Sequence, residues 1–129
     1  MPINCIVVTP AETAVETEVN SISLPLFDGD KGVMVDHAPM IGRLGSGELK
    51  LQGSEGASRF YIEGGFVQVL DNTVSILTNR VVGVEDLDSN TIQQELSDAL
   101  AMPGKNDEEL DVRERAVDAA RAQLRVAQS

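Results

Sequence analysis

The spacing of the apolar residues changes once along this 129-residue chain, near residue 84. Before the change, apolar side chains alternate with polar ones, as in Ile22-Ser23-Leu24 and Leu49-Lys50-Leu51. A period of two indicates strands with one buried face and one solvated face. All but one of the 11 glycines and four of the five prolines lie in this part, so many short strands joined by turns are expected. The pattern is typical of an antiparallel sandwich or barrel.

From Glu85 onward the apolar residues follow a helical period instead. Asp86 or Asp88 is suited to cap the start of a first helix, because a carboxylate accepts the free N–H groups there. Pro103-Gly104 predicts its end. The residues expected on one face of this helix are Ile92, Leu96, Ala99 and Leu100.

A second helix is predicted after the Pro-Gly turn. Asn106 can cap it, with Glu109 three residues later as in a capping box. Leu110, Val117 and Leu124 repeat at a spacing of seven. The fold class predicted is α+β: an N-terminal antiparallel β-sandwich in residues 1–84, then a C-terminal two-helix antiparallel hairpin in residues 85–129.

Charge and composition exclude several classes of protein. The net charge of −11 and the pI near 4.3 argue against nucleic-acid binding, which needs clustered Lys and Arg. No apolar run approaches the roughly 18–20 residues of a membrane span, and no signal peptide is visible at the start. The single Cys5 excludes an intrachain disulfide or a multi-cysteine metal site, and a reducing, cytosol-facing setting is expected.

The densest cluster of polar residues spans residues 28–39. One interpretation is that the chain is a small stand-alone, metal-dependent β-sandwich enzyme that uses Asp30, Asp36 and His37. Neighbouring residues on a strand point to opposite faces, which disfavours a shared site for Asp36 and His37. The Asp-Gly-Asp-Lys-Gly run at 28–32 also has the composition of a turn. Catalysis and metal binding are therefore not predicted.

Three other features have ordinary structural explanations. Gly64-Gly65 has neither the Lys-Ser/Thr nor the helix of a phosphate loop, so a β-bulge or a tight hairpin is expected there. Cys5 lies in an apolar strand and is expected to be a buried hydrophobe rather than a reactive thiol. Met34 and Met40 are expected to be packing residues. From these residues alone, the chain is interpreted as a binding or regulatory module.

Four segments, taken in order, resemble the epsilon subunit of F-type ATP synthases. The first contains Gly29-Asp30-Lys31-Gly32-Val33 and His37-Ala38-Pro39, and the second contains Glu63-Gly64-Gly65-Phe66-Val67. The third and fourth are residues 85–88 and 122–127. Together they cover nearly the whole chain.

The resemblance implies a non-catalytic central-stalk subunit that needs no cofactor or metal of its own. It would bind the gamma subunit and the c-ring of the membrane sector, and so couple ion-driven rotation to ATP synthesis. Its hairpin would reach the alpha and beta subunits of the catalytic head and modulate ATP hydrolysis. The implied location is peripheral, on the cytoplasmic side of the inner membrane, with membrane association only through protein partners.

The resemblance also implies contact residues. Asp30, His37 and Met40 match positions near the gamma and c-ring contacts. In the hairpin, the arginines implied to meet the catalytic head are Arg113, Arg115, Arg121 and Arg125.

One departure from the family concerns ATP. Some members bind ATP through a Leu/Ile-Asp-x-x-Arg-Ala signature, which here reads Leu87-Asp88-Ser89-Asn90-Thr91-Ile92. Thr91 stands where the signature has Arg, and Ala119 and Gln123 stand where arginines are expected on the second helix. Without a guanidinium to pair with phosphate, weak or no ATP binding is predicted.

Two alternatives to a rotary coupling subunit remain at this point. For the metal-dependent enzyme, His37→Ala would lower activity by orders of magnitude, whereas a coupling subunit would lose little. For an accessory module of some other acidic complex, copurification with a rotary ATPase would decide against it.

Overall fold

The structure is a computed structural model, and it describes residues 2–128. The chain divides between Gly83 and Val84 into two compact units. The first unit is built of strands and the second of helices. The strands are β1 (Ile3–Val8), β2 (Thr13–Val19), β3 (Ser21–Leu26), β4 (Gly29–Met34), β5 (Met40–Gly53), β6 (Gly56–Leu70), β7 (Thr73–Leu77) and β8 (Val81–Gly83).

The strands follow one another in the order β2-β1-β7-β6-β5-β3-β4, and β8 pairs with β6. Neighbours are antiparallel except β1 and β7, which are parallel. Strands β5 and β6 are 14 and 15 residues long and pair along their whole length. Residues 66–70 of β6 pair with β7, whereas residues 60–62 pair with β8 and residues 50–52 of β5 pair with β3. The two long strands therefore serve both layers of a sandwich, and the predicted fold class is confirmed.

The core of the sandwich is aliphatic, as a chain with 3% aromatic residues requires. Buried residues alternate along β1 and β7, for example, so one face of these strands is removed from water. Cys5 is fully buried there, and this burial raises the pKa of its thiol to about 12, so it is the buried hydrophobe that was predicted. The main contributors are Ile3, Val7, Leu24, Leu49, Leu51, Ile62, Val67, Val74 and Ile76.

Three local predictions for the sandwich are wrong. Met34 was expected to be a packing residue, but it is 66% exposed at the end of β4. The run at 28–32 is not a turn: only Phe27 and Asp28 form the loop, and β4 already begins at Gly29, which pairs with Leu26. The tight hairpin predicted as one alternative at Gly64-Gly65 is absent because both residues lie inside the continuous strand β6, and the pairing of β6 with β5 shows no register shift that would mark the other alternative, a β-bulge.

The glycine pair marks a bend in β6. Gly64 and Gly65 have φ values of 59° and 108°, where residues with a side chain are rare. A Cβ atom on Gly65 would overlap the carbonyl oxygen of Leu77 and lie 2.8 Å from its carbonyl carbon. Glycine is therefore needed where β6 passes closest to the end of β7.

The helical unit contains a 3₁₀ turn (Val84–Asp86), α1 (Ser89–Leu100) and α2 (Asp107–Ala127). The Asp88 carboxylate caps α1 by accepting the Asn90 N–H at 3.0 Å, and Asn106 caps α2 by accepting the Glu109 N–H at 2.8 Å. The Glu109 carboxylate accepts the N–H of Lys105 rather than that of the cap residue. Neither helix of the described chain is long and apolar enough to cross a bilayer.

Only part of the predicted apolar face of α1 is buried. Ile92 and Ala99 are buried, whereas Leu100 is exposed. On α2, Val117 is buried as its spacing predicted, but Leu110 is exposed. Small residues account for much of the remaining buried surface, namely Ala120 and Ala122.

Candidate functional site

The outward surface of one layer of the sandwich is unusually apolar. Strand residues that point away from the core are normally polar, yet Ile41 is 80% exposed, Phe66 is 59% exposed and Leu77 is 55% exposed. Leu70 is also exposed. These four residues alternate with buried or half-buried neighbours, and the pairing of Ile41 with Gln68 and of Phe66 with Leu77 puts them on one side of the sheet. We call this surface the apolar face: Ile6, Val8, Ile41, Phe66, Leu70 and Leu77.

The register of the strands aligns the apolar face into rows. Arg43 pairs with Phe66, Phe66 with Leu77, and Leu77 with Val8. The Arg43 guanidinium carbon lies 4.8 Å from the centre of the Phe27 ring, a cation–π contact that extends the row to the β3–β4 turn. The Phe27 N–H donates to the Arg43 carbonyl at 2.8 Å and fixes that turn against β5.

An open cleft of about 720 Å³ borders the same row. Its walls include Val8, Pro10, Phe66 and Leu77, with Arg43 as the charged group. An apolar surface with one cation at its margin is suited to bind a protein surface rather than to transform a small molecule.

The predicted contact residues do not form one cluster. Asp30 is exposed near the start of β4, and His37 is half-buried beyond its end. Met34 is the last residue of β4, and His37 lies beyond it. A strand rises about 3.3 Å per residue, so the Cα atoms of Asp30 and Met34 are already about 13 Å apart. Met40 is partly buried and packs against the core, whereas the next residue, Ile41, points outward.

The structure gives no support to a metal-dependent site. Within residues 2–128, no three His, Cys, Asp or Glu side chains are arranged to hold a metal ion. Asp36 contacts Asn72, and the Nδ1 atom of His37 lies 2.7 Å from the Ala38 carbonyl oxygen. Asp30, Asp36 and His37 are therefore not assembled for shared chemistry.

A second group of ionisable side chains surrounds Tyr61. Its hydroxyl donates to Glu63 Oε1 at 3.0 Å, and Arg80 Nη1 lies 3.5 Å from the same oxygen. Burial, with a contribution from the Glu63 carboxylate, raises the pKa of Tyr61 well above its usual range. A phenol held neutral in this way is a hydrogen-bond donor within the fold, not a nucleophile or a base.

The four hairpin arginines do not share one environment. Arg113 and Arg121 line one groove of about 400 Å³ together with Leu100, Leu110 and Val117. Arg115 is paired with Asp111, with 2.7 Å between Nη2 and Oδ2. Arg125 lies in the last turn of α2, where a cation interacts favourably with the helix dipole.

In the segment that matches the ATP signature, the Asp88 side chain caps helix α1. The two carboxylate oxygens of Asp88 accept the Asn90 N–H and the Thr91 hydroxyl, each at 3.0 Å. Gln123 is buried and lies with its Nε2 atom 3.4 Å from the Ala119 carbonyl. No guanidinium is present at these positions, as the sequence already indicated.

The sequence analysis missed the exposed apolar residues, although one signal was available. In β6, the run Phe66-Val67-Gln68-Val69-Leu70 puts apolar side chains on both faces of the strand. A strand with one solvated face would instead alternate apolar and polar residues. Val67 and Val69 are buried and account for the face that points to the core. Phe66 and Leu70 remain, and they lie on the apolar face.

A sandwich with an apolar outer face, followed by a capped helical hairpin, defines a small binding subunit rather than an enzyme. The family model described as ATP synthase, Delta/Epsilon chain, beta-sandwich domain matches residues 2–84. The ATP synthase epsilon chain of Rhodopirellula baltica is 45% identical over 125 residues, covering 97% of this chain and 98% of that protein. That of Leptospira borgpetersenii is 35% identical over 96 residues, covering 74% and 76%. The chain therefore belongs to the ATP synthase epsilon-chain family, whose members are non-catalytic subunits of that complex.

Solved structures share the fold. A chain of the mitochondrial ATP synthase of Euglena gracilis, in a structure of OSCP, F1 and the c-ring, superposes with a TM-score of 0.86 at 23% identity, covering 99% of this chain and 82% of that one. A chain of the Tetrahymena thermophila enzyme, in a structure of the central stalk and c-ring, gives a TM-score of 0.77 at 13% identity, covering 98% and 97%.

Proposed function

We propose that this chain is a coupling subunit of the central stalk, and that it binds the gamma subunit through the apolar face. The observation that carries the proposal is the exposure of Ile41, Phe66 and Leu77 on one side of the sheet. Apolar patches of this kind mark protein interaction sites, since burying them releases roughly 25 cal/mol per Å². The relatives named as epsilon chains support a permanent partner within the ATP synthase.

The two ends of the apolar face suit different contacts. At one end is the β3–β4 turn, with exposed Asp30 next to it in β4, and at the other is the His37-Ala38-Pro39 segment. We infer that Asp30 approaches polar loops of the c-ring and that His37 and Met40 belong to the region that contacts gamma and the c-ring. Both matching structures are of assemblies that include a c-ring, which supports this arrangement. Charges at the rim of an interface mainly affect the rate of encounter.

The hairpin is proposed to act on the catalytic head. It forms its own compact unit, so it can change position without unfolding the sandwich. We infer that Arg113, Arg115, Arg121 and Arg125 meet acidic segments of the alpha and beta subunits and modulate ATP hydrolysis. Arg113 and Arg121 line one groove that Glu114 and Asp118 also line, while Arg115 must first leave its exposed pair with Asp111, which costs little.

This function implies a peripheral location on the cytoplasmic side of the inner membrane, where proton or other ion transport is coupled to ATP synthesis. Membrane association would come only through protein partners. The acidic surface supports that restriction, because a net charge of −11 disfavours direct binding to anionic lipid.

Copurification with gamma tests the division of labour between the two units. A chain that ends before Asp86 retains the whole apolar face and all eight strands. It should still copurify with gamma, but ATP hydrolysis by the assembled complex should lose its regulation by this subunit. Loss of gamma from the preparation would contradict the proposed binding surface.

A further inference from the structure

Two tight turns from distant parts of the chain are joined by a reciprocal pair of hydrogen bonds. Asp36 donates its backbone N–H to Asn72 Oδ1 at 2.7 Å, and Asn72 Nδ2 donates to Asp36 Oδ1 at 3.1 Å. The Asn72 carbonyl also accepts the backbone N–H of Asn4 at 2.8 Å. Asn72 therefore ties together the start of β1, the β6–β7 turn and the connection from β4 to β5.

Both turns contain residues in the left-handed backbone region. Asp71 and Asn72 have φ values of 51° and 57°, which make a two-residue hairpin turn of the I′ kind. Asp36 has φ of 64° in a turn closed by the His37 N–H, which donates to the Met34 carbonyl at 3.2 Å. Glycine is favoured at that position, so an aspartate there needs other interactions to hold it. Asn72 supplies two.

The joined turns lie at one end of the apolar face. Leu70, an exposed member of that face, immediately precedes the β6–β7 turn. Ile41, another member, follows the connection formed by residues 35–39. The position of His37 relative to the apolar face is thus set by a connection whose anchor is Asn72.

We propose that Asn72 is a positioning residue for partner binding. It holds residues 35–39 so that His37 and the apolar face form one continuous surface for the same partner. The inference rests on the proposed function, in which that partner is the gamma subunit. A segment that is ordered before binding avoids the entropic cost of ordering it in the complex, so Asn72 favours association without contacting the partner.

The chain offers a matched pair of variants to test this role. Asn72→Gly keeps the hairpin turn, because glycine adopts positive φ readily, but removes both hydrogen bonds to Asp36. Asp71→Gly changes the same turn in the same way and removes no side-chain hydrogen bond seen in residues 2–128. The affinity of each full-length variant for purified gamma should be measured together with the amide hydrogen exchange of Asp36.

Asn72→Gly should weaken binding about tenfold and accelerate exchange of the Asp36 amide, while Asp71→Gly should leave both unchanged. In an Asp36→Gly background the same change should cost less, since glycine holds the turn without help. Wild-type affinity in Asn72→Gly, or a loss of affinity with an unchanged Asp36 exchange rate, would overturn the inference. Failure of the wild-type chain itself to bind gamma would instead overturn the proposed function.

Discussion

Phe66 and Leu77 lie opposite each other on neighbouring strands, and both point away from the core of the sandwich. Such a cross-strand pair normally stabilises a sheet by covering its inner face. Here the pair is more than half exposed to solvent, with Arg43 on one side and Val8 on the other. The row is therefore apolar surface that the sandwich itself does not bury. The first prediction concerns this exposed surface.

A charge placed on the apolar face should weaken partner binding without unfolding the chain. Ile41→Glu changes the side chain that is 80% exposed, so the stability of the sandwich should change by no more than about 0.5 kcal/mol. Burying the new carboxylate against gamma should raise the dissociation constant at least tenfold. Titration of the variant with purified gamma measures the change.

Val112→Glu is the matched control for that substitution. Val112 is also an exposed apolar residue, but it lies on α2 in the helical unit. Its replacement should leave gamma affinity within twofold of wild type. Equal losses for the two variants would show that added negative charge, rather than the apolar face, determines the result.

Much of this fold could be predicted because each unit has a clear period. Alternation identified most strands, and Asp88 and Asn106 were recognisable as caps from their residue type and place in the sequence. Strand β2 was missed because its only apolar side chains are those of Ala14, Val15 and Val19, too few for a clear alternation. An edge strand that is largely solvated leaves little hydrophobic pattern to detect.

The candidate site was harder to predict, because it depends on which strands become neighbours. Asp36 and Asn72 are 36 residues apart, and nothing in either turn indicates the other. The motif around His37 drew attention to Met40, but the strand places Met40 toward the core and Ile41 outward. A shift of one residue reverses the face of a side chain, so motif position alone does not identify a contact residue.

The bend in β6 should not tolerate a side chain. In Gly65→Ala the new Cβ would overlap the Leu77 carbonyl oxygen at a φ of 108°. The neighbouring atoms are backbone and cannot rotate away, so a loss of about 3 kcal/mol or more in the free energy of unfolding is expected. Urea denaturation followed by circular dichroism gives this quantity.

Gly32→Ala provides the comparison for Gly65→Ala. Gly32 lies in β4, and a Cβ there meets no atom within 4 Å. The same chemical change should therefore alter the free energy of unfolding by less than about 1 kcal/mol. If both variants lose the same stability, the close approach of β6 to Leu77 is not the cause.

The hairpin should bind ATP weakly or not at all. Asp88 is committed to capping α1 and to the Thr91 hydroxyl, and no guanidinium replaces the missing phosphate partner at Thr91. Isothermal titration of the isolated full-length chain with Mg-ATP should give no saturable heat at micromolar protein. Tight binding would show that other cations of the hairpin, such as Arg113 and Arg121, form the site instead.

The pair between Glu48 and Arg59 should make stability depend on pH. The two side chains are diagonal neighbours on β5 and β6, since Glu48 pairs with Tyr61 and Arg59 with Lys50. Arg59 Nη2 lies 3.1 Å from Glu48 Oε2, beside a second, shorter bond from Nε. These hydrogen bonds hold the pKa of the Glu48 carboxyl below its usual value of about 4.3. The folded state thus binds this proton less readily than the unfolded state, so the contribution is complete above about pH 4.3 and disappears as pH falls through the lowered pKa. Glu48→Gln should accordingly melt at a lower temperature than wild type at pH 7, by a small margin because the pair is partly solvated, and the difference should shrink as the pH falls through the lowered pKa of Glu48. A difference in melting temperature that is independent of pH between 7 and 2 would mean that packing, not the charge on Glu48, is responsible.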